Sequence, residues 1–265
     1  MSESKSLQIT PESLIKMKNS GNKITMLTAY DYFFGRLIDE AGCDLILVGD
    51  SLGSVMFGMP TTIPVTMEEM LHHVRAVSNG VKRSMVIGDM PFMSYQVSKE
   101  EAIRNAGRLI KDGGARAVKL EGGTEMADTV NFMSERGILV MGHIGLMPQR
   151  VYHMGGYKTQ GKNDDSKKRI MADALAIAQA GAFAIVLEGI PEALAREITA
   201  AVNIPTIGIS AGKYCDGQVL VIYDLLNMSH TPLPKFVKVF ADAGSLIKKG
   251  VNDYLSEVKN KKFPE

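Results

Sequence analysis

The chain has 265 residues, an apolar share of 45% and a formal net charge of +1, which suits one large α/β domain with a full core. The balanced charge and the lack of any basic run exclude a nucleic-acid surface, and no apolar run approaches the roughly 18 residues of a membrane helix. The opening Met1-Ser2-Glu3-Ser4-Lys5 has no signal-peptide core, and Cys43 and Cys215 have no partner spacing, so a cytoplasmic protein with free thiols is expected.

Thr10-Pro11-Glu12 opens a short helix that Gly21 ends, with Thr10 as cap and Pro11 at the first helical position. Residues 24–28 form the first predicted strand. A helix follows from about Asp31, with Phe34, Leu37, Ile38 and Ala41 on one face. Gly42 stops it. Leu45-Ile46-Leu47-Val48 is then an unbroken apolar run ending in Gly49-Asp50-Ser51. Such a run, bounded by turn residues, reads as a strand buried on both faces of a parallel sheet. A loop rich in Gly and Met leads to Thr66-Met67-Glu68-Glu69, a capping box, with Met70, Leu71, Val74 and Val77 as the buried stripe.

The unit then repeats. Strand 85–88 ends in Asp89, Ser98-Lys99-Glu100-Glu101 is a second capping box, and its helix stops at Gly113-Gly114. Strand 117–120 ends in Glu121, Thr124 caps the next helix, and Gly137 ends it. Residues 138–141 are the fifth strand. The stretch from His143 to about Asn163 is a loop long enough to act as a lid. A helix after Ser166 stops at Gly181, strand 183–187 ends in Glu188, and Pro191 starts a further helix. Residues 206–208 form the seventh strand, Asp216 caps a helix over 218–226, 236–239 is the eighth strand, and a last helix spans about 242–259. A glycine ahead of the strands recurs, as at the end of each helix in a repeated unit. The count is that of a (β/α)₈ TIM barrel with an additional N-terminal helix, one domain over 1–265. A doubly wound sheet ranks second, because no Gly-x-Gly-x-x-Gly follows the first strand.

Asp50, Asp89, Glu121 and Glu188 each end a strand, where barrels place their chemistry. The first three lie on adjacent strands about 4.8 Å apart, close enough to share one ion. Mg²⁺ takes carboxylate oxygens, usually one or two from protein, and would neutralise acids that otherwise repel. Taken singly, each acid is equally a helix cap or the partner of a nearby Lys or Arg. Lys119 lies two residues before Glu121 and faces the same side. An inward lysine needs an anion, either these acids or a substrate carboxylate. His143 can polarise a carbonyl or support its neighbours. Glu188 stands away around the rim, and an acid in an apolar mouth suits a general base, with a pair to Lys158 or Lys162 as the alternative. Ser51 can donate a hydrogen bond to substrate but has no base to make it a nucleophile. His72, His73, His153 and His230 are given no role.

Six ordered stretches carry a family resemblance: Val48-Gly49-Asp50-Ser51-Leu52-Gly53, Asp89-Met90-Pro91-Phe92, Lys119-Leu120-Glu121-Gly122-Gly123, Gly142-His143-Ile144-Gly145-Leu146, Gly155-Gly156-Tyr157-Lys158 and Asp216-Gly217-Gln218-Val219-Leu220. Together they resemble the ketopantoate hydroxymethyltransferase family across nearly the whole chain. The resemblance implies a (β/α)₈ barrel in a homo-oligomer, typically a decamer. It implies Mg²⁺-dependent transfer of the one-carbon unit of 5,10-methylenetetrahydrofolate to 3-methyl-2-oxobutanoate, by way of a metal-stabilised enolate, as the first step toward pantothenate. Residue by residue, it implies Asp50, Asp89 and Glu121 at the metal. Asp50, Ser51, Asp89 and Lys119 would contact the keto acid, with Glu188 as proton acceptor and His143 as a site histidine. Gly189 stands where relatives often carry Cys, Ser210 replaces a usual Gly, and Lys213-Tyr214-Cys215 is an unusual lead into Asp216. These departures lie toward the expected folate end. Two rivals are lyases and mutases of the phosphoenolpyruvate mutase and isocitrate lyase type, whose usual Cys-Gly-His segment is missing here, and a catalytically silent barrel that binds a metal and a small acid.

Overall fold

A computed structural model of the chain describes residues 8–229 and 232–264, so His230 lies outside the described residues. The chain divides into two compact units at Val219 and Leu220. In order, the elements begin with α1 (Pro11–Ser20), β1 (Ile24–Thr28), α2 (Tyr32–Glu40), β2 (Leu45–Val48), α3 (Leu52–Val55), α4 (Met67–Gly80), β3 (Met85–Asp89), α5 (Lys99–Lys111) and β4 (Ala117–Glu121). They continue with α6 (Ala127–Ser134), β5 (Val140–Gly145), α7 (Asp164–Gln179), β6 (Ala184–Glu188), α8 (Glu192–Ala201), β7 (Thr206–Ile209), β8 (Gly217–Leu220), α9 (Ile222–Leu225) and α10 (Ala243–Lys259). The eight strands close into a barrel in sequence order, and β1 through β8 pair in parallel. This is the TIM barrel that the strand count implied.

Local chemistry explains most boundaries. Thr10 and Thr66 close reciprocal capping boxes on α1 and α4. Ser98 accepts from the Glu101 N–H, but the return bond is absent, so only half of that box forms. Gly42, Gly114, Gly137 and Gly181 all take positive φ where helices hand over to strands. On α2 the buried positions are Gly35 and Ile38, whereas Leu37 faces outward. A Cβ on Gly80 would stand 2.5 Å from the Tyr32 carbonyl oxygen, so α4 and α2 meet too closely there for any side chain.

Three expectations need correcting. The eighth strand is Gly217–Leu220, and residues 236–239 form no strand. Asp216 caps no helix: it leads into β8, and its Oδ2 accepts from Lys18 Nζ at 2.8 Å and from the Thr206 N–H at 2.9 Å. Gly217 is what lets β8 close the barrel, since a Cβ there would lie 2.5 Å from the Ile24 carbonyl oxygen on β1. Second, β5 starts at Val140, two residues later than expected, and runs to Gly145, which puts His143 inside the strand rather than at its end where the loop begins. Third, Thr124 opens a single 3₁₀ turn (Thr124–Met126) ahead of α6, and its hydroxyl and N–H bind Asp173.

Strand alternation decides which side chains enter the barrel. Ile24 and Met26, Leu45 and Leu47, Met85 and Ile87, Ala117, Met141, Ala184 and Val186, Ile207 and Val219 share one apolar cluster. Ile9 and Leu14 of the N-terminal segment join it beside the residues that start the strands. Continuing each inward series by two residues reaches Asp89, then Lys119 and Glu121, then His143, then Glu188. The polar residues at the carboxyl ends are therefore the next layer of the same interior stack.

The second unit, from Leu220 on, contains α9 and α10. Asp242 caps α10 by accepting from the Ser245 N–H at 3.3 Å, and none of the residues of α10 is buried.

Candidate active site

Strand register sets the polar layer. Asp89 on β3 pairs in register with Lys119 on β4, Glu121 on β4 with His143 on β5, and Gly145 on β5 with Glu188 on β6. Lys119 Nζ lies 2.6 Å from Asp89 Oδ1, and both side chains are almost fully buried. The anion that the inward lysine needs is thus present in the protein. Burial alone would lower the Lys119 ammonium, but Asp89, then Glu121 and Asp50, raise it above its ordinary value. It stays charged.

Asp50 follows the end of β2 and turns back over the layer. Its backbone N–H donates to Asp89 Oδ2 at 3.2 Å, so two acids sit side by side. Burial first, and Asp89 second, push the Asp50 carboxyl up to about 8 against the pull of Lys119. The Ser51 hydroxyl lies 2.9 Å from the Tyr30 hydroxyl, beside Asp50 and with no basic residue bonded to it among the described residues.

His143 occupies the gap between two carboxylates. Its Nδ1 lies 3.5 Å from Glu121 Oε1 and its Nε2 lies 3.2 Å from Glu188 Oε2. Neither ring nitrogen reaches full hydrogen-bond geometry, and these contacts are ion pairs when the ring is protonated. Burial would lower the imidazole, yet Glu121 and Glu188 outweigh it and raise it to about 9. At neutral pH the ring is an imidazolium held by two anions. Glu188 is correspondingly not remote from the other acids. One imidazole separates it from Glu121, and His143 rather than Lys158 or Lys162 is its ion-pair partner among the described residues.

Sequence reasoning missed Gln149. It is buried in a 3₁₀ turn (Pro148–Arg150) just after β5, and its side-chain Nε2 donates to Asp50 Oδ2 at 3.0 Å. Its backbone N–H donates to Glu121 Oε2 at 3.1 Å. A neutral amide in a loop carries no period and no charge, so the sequence offered only Pro148, a turn starter, as a signal. The stretch 143–163 is not exposed throughout: Leu146, Gln149 and Val151 are buried, and the exposed part starts at Tyr152.

The donor set has features that suit a divalent cation. Glu121 Oε1 is a buried carboxylate oxygen without a hydrogen-bond partner, and Asp50 lies against Asp89. Among the described residues, Asp50, Asp89, Glu121 and Glu188 share two cationic partners, Lys119 and His143, so acids outnumber cations here. No group of three His, Cys, Asp or Glu converges as a complete ligand set among the described residues. The arrangement fits a hard cation held by one or two carboxylates, with water and substrate oxygens completing its shell. It does not fit a closed structural metal site.

A closed parallel barrel with buried acids, a charged lysine and an imidazolium at the carboxyl ends of its strands defines an α/β-barrel enzyme with an acid–base site. The model of the family described as ketopantoate hydroxymethyltransferase matches residues 8–265. The chain belongs to that family. A 3-methyl-2-oxobutanoate hydroxymethyltransferase of Carboxydothermus hydrogenoformans is 57% identical over 97% of this chain and 94% of its own length. One from Geobacter metallireducens is 55% identical over 94% of each chain. Among solved structures, a phosphonopyruvate hydrolase in complex with oxalate and Mg²⁺ superposes with a TM-score of 0.63 at 13% identity, covering 96% of this chain and 88% of that one. That likeness is one of fold alone. No helix among the described residues is long and apolar enough to cross a membrane.

Proposed function

We propose that this chain transfers a hydroxymethyl group from 5,10-methylenetetrahydrofolate to 3-methyl-2-oxobutanoate, giving 2-dehydropantoate, with Mg²⁺ in the site. The observation that carries the reading is the row Glu188–His143–Glu121 beside Asp89 and Asp50, a carboxylate at the barrel mouth next to a pair of acids that suit a cation. Asp50 and Asp89 would hold Mg²⁺, with Glu121 close enough to reach it directly or through water. When bound, the cation supplies Lewis-acid polarisation of a 2-oxo acid through its carbonyl and carboxylate oxygens.

The chain's own residues supply the rest. Lys119 brings a positive charge that suits the substrate carboxylate, and Asp89 fixes its position. Ser51, oriented by Tyr30, offers a hydroxyl to the same substrate. Glu188, whose side chain is 19% exposed where His143 is 3% exposed, is the carboxylate that reaches the mouth. It accepts the C3 proton of the keto acid. The electron pair so released forms the new C–C bond to the one-carbon unit, which arrives at the formaldehyde oxidation level. Both C–N bonds from that carbon to the folate break, one water supplies the hydroxyl, and tetrahydrofolate leaves with its two nitrogens carrying the substrate proton and a water proton. His143, 3.2 Å from Glu188 Oε2, positions the base.

Purified protein given 3-methyl-2-oxobutanoate, 5,10-methylenetetrahydrofolate and Mg²⁺ is expected to form 2-dehydropantoate. Failure to form it with all three present sinks the reading. A cytoplasmic homo-oligomer, a decamer on the family pattern, is part of the same proposal. The exposed Leu246, Ile247, Val251 and Leu255 of α10 support assembly, and light scattering on the eluted protein tests its size.

A further inference from the structure

Gln149 makes more hydrogen bonds within the acid site than any of the acids themselves. Its Nε2 donates to Asp50 Oδ2 at 3.0 Å and to the Met90 carbonyl at 2.9 Å. Its Oε1 accepts from the Tyr95 hydroxyl at 2.6 Å and from Gln96 Nε2 at 3.4 Å. Its backbone N–H holds Glu121 Oε2, and the Tyr95 oxygen accepts from the Glu121 N–H at 3.1 Å. Two acceptors on one side and two donors on the other leave only one orientation for the amide. Burial, and Glu121 after it, keep the Tyr95 hydroxyl well above its ordinary value, so it remains a donor.

We propose that Gln149 is the positioning residue of this site, locking Asp50 so that only Oδ1 is offered to a bound cation or substrate. The lock follows from counting. Asp50 Oδ2 is taken by the amide, and Oδ1 accepts no hydrogen bond among the described residues. Without the amide, no hydrogen bond among the described residues would hold the Asp50 carboxyl in one orientation beside Asp89. No other side chain of this length serves both ends: Glu has no donor for Asp50, Met has neither group, and Lys cannot accept from Tyr95. The same turn fixes Glu121 through the main chain, which a side-chain substitution leaves intact. One loop therefore ties β2 to β4 at the level of the chemistry. The proposal rests on the reading above only in taking Asp50 as a cation ligand.

The test is Gln149→Met, which keeps the bulk and the backbone N–H. Mn²⁺ is the probe, followed by electron paramagnetic resonance, with crystal structures of both proteins solved without metal. Removing one hydrogen bond to a charged group should weaken Mn²⁺ binding by about tenfold or more. The crystal structures should show one Asp50 carboxylate orientation in the parent and a turned or doubled one in the variant. A KM for the keto acid that rises with the Mn²⁺ dissociation constant, at a temperature where both proteins are folded, supports positioning. Mn²⁺ binding within threefold of the parent and an unmoved carboxylate overturn it. Should the parent bind no Mn²⁺, the cation reading falls and the Asp50 orientation alone decides the role of Gln149. If Gln149→Met yields no folded protein, Tyr95→Phe removes the bond that anchors the amide. It should weaken Mn²⁺ binding in the same direction by about threefold, and no change would overturn the proposal.

Discussion

Glu188 Oε2 lies 3.2 Å from His143 Nε2, and the opposite nitrogen of the same ring lies 3.5 Å from Glu121 Oε1. The imidazole thus couples the proposed base to the proposed cation site. His143→Gln retains polar contacts but removes the positive charge that lies between the two acids. The expected loss in turnover is about ten- to a hundredfold, smaller than removal of the base itself. Steady-state kinetics at saturating substrates measure it, and an unchanged kcat would reduce His143 to a packing role.

Lys119 and Asp89 form a buried pair, so each stabilises the other's charge. Lys119→Met leaves Asp89 uncompensated and should destabilise the fold by about 3–5 kcal/mol. Adding Asp89→Asn to the same chain should restore most of that loss. In folded protein, Lys119→Met should also raise the KM for the keto acid more than that for the folate. If neither KM moves, the lysine serves only Asp89.

Asp50 and His143 set the pH dependence of stability. Asp50 rises in the folded chain from 3.8 to about 8, and His143 from 6.5 to about 9. In both cases the folded state binds protons more tightly than the unfolded one, so stability falls as pH rises. The Asp50 share is lost between about pH 4 and 8, and the His143 share between about 6.5 and 9. Without divalent cation, the Tm should therefore decline from pH 5 to 9. Asp50→Asn should flatten the part below pH 8. Parallel slopes for the two proteins would show that Asp50 does not titrate in this range.

The cation prediction follows from the same crowding. Asp89→Ala should weaken Mg²⁺ binding and abolish transfer and, because it strands the buried Lys119, lower the Tm as well, with the barrel still folded well below that Tm, read by calorimetry, turnover and circular dichroism. Chelator treatment that leaves the parent protein's turnover unchanged would remove Mg²⁺ from the account.

Most of the first seven strands were legible because they are apolar runs buried on both sides, as β2 and β3 are; β1 was read from its apolar residues although Thr25 is exposed. Asp89, Glu121 and Glu188 were legible because an acid ends such a run. The eighth strand was not. Gly217-Gln218-Val219-Leu220 alternates buried and exposed positions and starts with a glycine needed for closure against β1. The more apolar 236–239 drew the assignment instead, although Phe236 and Val239 are exposed. Distances around the rim were also hidden. Glu188 seemed remote by strand count, yet a single ring on the intervening β5 bridges it to Glu121, because His143 lies within that strand and points between its two neighbours. Gln149 was hidden for a different reason: a neutral side chain in an irregular turn shows its role only once its four partners are in place.

In the proposed reaction Glu188 takes the C3 proton of 3-methyl-2-oxobutanoate, a step that needs no folate. Proton NMR in D₂O follows it directly, as loss of the C3 signal in the presence of Mg²⁺ and protein alone. Parent protein should exchange that hydrogen. Glu188→Gln, which keeps the shape and the capacity to bind keto acid, should exchange it about 10²–10⁴-fold more slowly. Exchange by Glu188→Gln at close to the parent rate would contradict the assignment.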